Sequence, residues 1–112
     1  MVEDANSSET TNGMFRLEAK SVRFFSQLDE EMFFSWLDTI DAIFDYTGVL
    51  ASVFMWVDQP SDEDLRNLIA FFERYKIEKG QLAQLLTDEN RAWFADEKMV
   101  WYREIFGAVK GK

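Results

Sequence analysis

Residues 49–57, VLASVFMWV, constrain the fold more than any other stretch. They carry no charge and are rich in residues that favour extended backbone. Val49, Ala51, Val53, Met55 and Val57 alternate with Leu50, Ser52, Phe54 and Trp56. Both faces of the resulting strand are therefore largely apolar. A strand of this kind is usually covered on both sides. The expectation is that the aromatic C-terminal segment, with Trp93, Phe94, Trp101, Tyr102 and Phe106, covers the face that carries Phe44, Tyr46, Phe54 and Trp56. The competing expectation is an exposed aromatic patch that binds a protein partner or a second copy of the chain.

The other elements follow from their periods. Phe15, Leu17 and Ala19 alternate with Arg16, Glu18 and Lys20, which predicts a half-buried strand within residues 14–25, with a bend or bulge near Ser21. A helix of about three turns follows, with Asp29, Glu30 and Glu31 at its positive N-terminal end. Its apolar arc is Met32, Phe33, Trp36, Leu37 and Ile40, and Glu31, Ser35 and Asp38 lie opposite. Residues 42–47 and 49–57 read as a hairpin around Gly48. Ser61 and Asp64 form a capping box for a second helix with the stripe Leu65, Leu68, Ile69, Phe72 and Tyr75. Gly80 is placed to end that helix in the left-handed conformation. Three short helices are predicted over 81–86, 88–94 and 97–106, with Thr87 and Asp96 as caps. The order β-α-β-β-α-α-α predicts an α+β fold, a small, mostly antiparallel sheet of about three strands packed with helices. Residues 14–107 read as one domain, 1–13 as a flexible tail and 108–112 as a frayed end.

Charge is segregated. Residues 1–23 hold four acids and three bases, 24–65 hold ten acids and no base, and 66–112 hold seven acids and nine bases, which sums to the net charge of −9. Such a field repels nucleic acid and anionic membrane and attracts a basic protein or a cation. With no histidine and no cysteine, zinc sites built on those ligands, Ser-His and Cys-His nucleophile pairs, and disulfides are excluded. No apolar run approaches the roughly 20 residues of a membrane span. The polar, acidic N-terminus is unlike a signal peptide, so the expected location is cytoplasmic.

Candidate sites come from the acids and the rings. Asp38, Asp41 and Asp45 are spaced three and four apart and would share a face if the first helix continued, but the β pattern from Ala42 removes Asp45 from it. Asp58, Asp62 and Asp64 are the alternative, as hard-cation ligands of a small metal-dependent enzyme. They lack the spacing of an EF-hand loop, and capping of the second helix accounts for the acids at its start. A glycosidase-like carboxylate pair needs a cleft that a chain with short loops has little room for. A magnesium-dependent nuclease or phosphatase site would need bases that the acidic middle lacks.

The stretches DEEMFFSWL, SDEDLRNLIAFFERYKI, QLAQLLTDENRAWF and WYREIFG, taken in that order over about residues 24–107, resemble a group of small bacterial proteins of unassigned function. That resemblance implies an α+β domain and supplies no active residues. The expectation is a non-enzymatic interaction protein that needs no cofactor. Its acidic middle would dock a basic partner, as an immunity or inhibitor protein shields a nuclease. Glu31, Asp38, Asp41, Asp45, Phe54 and Trp56 are the expected binding residues. The chain would be a monomer, or a homodimer joined through the aromatic strand.

Overall fold

The alternation of Leu17 and Ala19 with Arg16 and Glu18 becomes strand β1 (Phe15–Ala19) in the computed structural model, which describes residues 14–107. The tails expected at 1–13 and 108–112 lie outside the described residues. β1 ends in a turn where Ser21 takes φ 52°, so the bend expected there is present.

Helix α1 (Gln27–Thr39) starts two residues before Asp29, because Ser26 serves as its N-cap and accepts from the Asp29 N–H at 3.1 Å. The Asp29 carboxylate in turn accepts from the Phe25 N–H at 3.1 Å. Phe33, Leu37 and Ile40 are buried as expected and Trp36 is half-buried. Met32 is not part of the buried arc: it is 52% exposed.

Strands β2 (Ile43–Val49) and β3 (Ser52–Val57) form the hairpin, and β3 is the centre of an antiparallel sheet of order β1-β3-β2. The turn is not at Gly48, which pairs with Val53 inside the ladder. It lies at Leu50 and Ala51, with Leu50 left-handed at φ 58° and fully exposed. Phe44 is the extra residue of a bulge between the pairs Ile43–Val57 and Asp45–Trp56.

Helix α2 (Asp62–Tyr75) has the expected capping box. Ser61 Oγ accepts from the Asp64 N–H at 3.1 Å, and the Asp64 carboxylate accepts from the Ser61 N–H at 3.4 Å. Leu65, Leu68, Ile69, Phe71 and Phe72 are buried. The helix stops at Tyr75 because Lys76, not Gly80, takes the left-handed conformation at φ 59°. Lys79–Leu85 is a 3-10 helix rather than an α-helix. Two of its side chains tie the fold together. Lys79 Nζ bridges Glu73 at 2.6 Å and Glu104 at 2.7 Å. The Gln81 amide accepts from the Glu18 N–H at 2.7 Å and donates to the Glu18 carbonyl at 2.8 Å, so it occupies part of the outer edge of β1 as another strand would.

The last helices are shorter than their sequence patterns, at Arg91–Phe94 (α3) and Tyr102–Phe106 (α4). Thr87 does cap the turn before α3, accepting from the Asn90 N–H at 3.1 Å while Asn90 Oδ1 accepts from the Thr87 N–H at 2.8 Å. Asp96 receives the Lys98 N–H at 2.9 Å, which shapes a turn instead of starting a long helix. The result is a small α+β fold whose inner sheet face and helices share one core. Leu17, Ala19, Val53, Met55 and Val57 meet Phe33, Leu37, Leu68, Phe72, Leu82, Phe94 and Ile105 there.

That core overturns the expectation that the C-terminal aromatic segment covers the outer face of the sheet. Phe94 and Ile105 are buried with Val53, Met55 and Val57, and Trp93, Trp101 and Phe106 pack against the same cluster. Phe54 and Trp56 take no part in it. The C-terminal helices therefore sit on the helical side, and among the described residues none of the core cluster lies on the other face of β3, where Phe54 and Trp56 are half-buried. Each helix presents one apolar stripe, and all the stripes converge on the inner face.

Candidate functional site

The outward side chains of the sheet form the first half of the site. Phe54 and Trp56 sit two residues apart on β3 with ring centroids 6.5 Å apart. On β1, Arg16 stands opposite Trp56 and Glu18 opposite Phe54. On β2, Asp45 stands opposite Trp56 and Thr47 opposite Phe54. The Arg16 guanidinium lies 5.1 Å from the centroid of the Phe54 ring, a cation–π contact. In a bulge the extra residue shares a side with its neighbour, which brings Phe44, 53% exposed, to the face that carries Asp45. The face is thus an aromatic strip whose β2 border is acidic.

The second half lies along α1. Glu31 and Asp38 line a shallow groove of about 700 Å³ whose apolar floor is Phe24 and Phe34. Glu30, one residue from Glu31, adds a third carboxylate. Phe34, Ser35 and Asp38 recur at helical spacing, which is why they share one flank. Tyr46 joins this groove to β2: its hydroxyl donates to Asp38 Oδ1 at 2.7 Å, and its ring lies 5.6 Å from Phe34. That hydrogen bond to Asp38, then burial and the carboxylate's charge, push the Tyr46 phenol above its usual pKa.

Five of the six expected residues therefore fall into two groups. Asp45, Phe54 and Trp56 share the open sheet face, and Glu31 and Asp38 share the groove on α1. β2 runs between them, turning Tyr46 toward the helix and Asp45 toward the open face. Asp41 is exposed in the turn between α1 and β2 and lines neither surface. Asp38 also has a structural role that its sequence context does not show, as acceptor for Tyr46. Phe24 and Phe34 line the groove and were not among the expected binding residues, while Phe44 stands on the aromatic face to which its strand assigned it. The i, i+4 spacing of Phe34 and Asp38 was the available signal for the groove.

Asp58, Asp62 and Asp64, the alternative metal ligands, stand apart in the fold. No group of three or more acidic side chains capable of holding a metal forms among the described residues. Asp58 accepts from the Gln59 N–H at 2.8 Å and Asp64 from Ser61, while Asp62 is exposed in the first turn of α2. Local backbone donors satisfy two of the three carboxylates, so they do not converge. No described helix is long and apolar enough to cross a membrane.

Comparison of the chain with protein-family models, with characterised proteins and with solved structures finds no match.

Proposed function

We propose that this protein is a non-enzymatic interaction module that docks a basic protein partner. The observation that carries the reading is the strip of exposed Phe44 and half-buried Phe54 and Trp56 beside Asp45, on the sheet face that lies outside the core of the described residues. Aromatic rings supply contact area at low entropic cost, and they dominate the binding energy of many interfaces. The net charge of −9 supplies long-range attraction for a cationic surface. Glu30, Glu31 and Asp38 extend the negative surface past the β2 edge. A partner of this kind is a protein with a basic cleft, as in an inhibitor that covers the nucleic-acid-binding surface of a nuclease. With no cysteine to oxidise, folding needs no oxidising compartment, and the proposal places the protein in the cytoplasm.

The test is capture from lysate at low and high salt, beside the double variant Asp45→Asn, Trp56→Ala. A basic protein held by the wild type at low salt, and released both by salt and by the substitutions, supports the reading. Equal retention by the variant overturns it. The same open face supports a second reading, a homodimer formed by packing two sheets through their aromatic strips. Sedimentation at several concentrations decides that, since a chain that remains monomeric removes it.

A further inference from the structure

A second groove, of about 740 Å³, lies where the segment before α1 meets the C-terminal end of α2. Its apolar part is Phe25, Leu28 and Met32, which are 91%, 65% and 52% exposed. Leu28 and Met32 are one helical turn apart, so they present neighbouring side chains. The rim is cationic: Lys20 and Arg23 come from the β1–α1 segment, Arg74 and Lys76 from the end of α2. Among the described residues, none of these four makes an ion pair. Among the described residues Asp29 is the one acid lining the groove, and its carboxylate is turned to the Phe25 N–H.

Four bases against one acid reverse the sign of a chain whose net charge is −9. Ser21 and Lys76 both line the groove and both are left-handed, with φ 52° and 59°. Lys76 occupies the helix-ending position that glycine fills without steric conflict. The chain keeps a cation there instead.

We propose that this groove is a second docking site, for a short acidic amphipathic helix of a partner protein. Its apolar residues would cover Phe25, Leu28 and Met32, and its carboxylates would meet Lys20, Arg23, Arg74 and Lys76. The concave shape fits a helix laid in a groove. A flat anionic membrane fits less well, because the net charge of the whole molecule repels lipid phosphate. The inference goes beyond the docking of a basic partner and does not depend on it. Grooves of opposite sign are lined by the same helix, α1, so the protein would bridge one basic and one acidic partner.

The experiment titrates the full chain at low salt with a labelled synthetic peptide of about fifteen residues, the length at which an isolated helix becomes viable. The peptide carries Leu and Phe at i, i+3 and i+4 spacing and Glu elsewhere; a control replaces every Glu by Lys. The expected result is saturable binding of the Glu peptide alone, with NMR shifts centred on Phe25, Leu28 and Met32. Arg23→Glu with Arg74→Glu should weaken it roughly a hundredfold, and the milder Arg23→Gln with Arg74→Gln roughly tenfold. Absent binding, equal binding of both peptides, or unchanged affinity in a folded variant would overturn the proposal. Binding to phosphatidylglycerol vesicles in place of the peptide reassigns the groove to lipid. Salt-sensitive self-association that Arg74→Glu abolishes reassigns it to a second copy. Either reassignment overturns it.

Discussion

The two faces of β3 are nearly equal in apolar character and opposite in fate. Val53, Met55 and Val57 are buried in the core, with Met55 and Val57 at 0% exposure. Phe54 and Trp56, one residue away along the same strand, are half-buried and lie outside that core. The larger rings are on the open side. Hydrophobicity along a strand therefore reports how many faces can be covered, and the number of helices free to cover them decides how many are. Here both long helices and the short ones after them converge on one side, so the second face is left for another molecule or for water.

Truncation separates the faces most sharply. Met55→Ala should lower stability by about 2–5 kcal/mol in a denaturant titration, because the side chain is fully buried and the cavity cannot relax closed. Trp56→Ala should cost only about 1 kcal/mol, the scale of a cross-strand pair. It should also weaken partner binding by roughly 2 kcal/mol or more if the ring is an interface anchor. A loss of stability at Trp56 equal to that at Met55 would break the comparison and put a cover on the outer face.

The hydrogen bond between Tyr46 and Asp38 ties β2 to the helical side, and it gives a prediction with a sign. Tyr46→Phe should cost about 0.5–1 kcal/mol near neutral pH, the value of one hydrogen bond in a solvent-facing place. The folded-state phenol titrates above its unfolded value of 10.0. The native state then holds a proton that the unfolded state has released, so the contribution is complete below the unfolded pKa. It disappears as pH rises through the folded pKa. Wild type and variant stabilities should therefore converge in strongly alkaline solution. A gap that persists there would mean that the hydroxyl acts through packing alone.

The smallest effect concerns Leu50, which the strand's alternation assigns to the same side as Phe54 and Trp56. It is fully exposed and left-handed, a conformation that leucine tolerates poorly and asparagine well. Leu50→Asn should raise stability by about 0.5 kcal/mol. A loss in its place would show that the outer face extends to the hairpin turn.

Patterns confined to a few neighbouring residues were legible in advance. Ser61 and Asp64 announced the start of α2, Thr87 its capping role before α3, and Leu17 and Ala19 the inner face of β1. Competition within a turn was harder to read. Gly80 was the better glycine for ending α2, yet Lys76 ends it, because the buried Ile77 and the double ion pair of Lys79 hold the chain there. The candidate site was legible in its residue types and not in its arrangement. Glu31 and Asp38 do share a surface, but Asp45 belongs to another, and the link through Tyr46 depends on β2 lying beside α1.

The sequence by itself determined the order of the elements, most of the core and the concentration of negative charge, since each follows from local period, capping or composition. Only the tertiary structure decided which face of β3 joins the core, that Asp45 joins Phe54 and Trp56, and that Lys20 and Arg23 meet Arg74 and Lys76. The physical reason is the same in each case. A side chain's period sets which direction it points from its own element, while its neighbours across space depend on how the elements share a limited apolar surface.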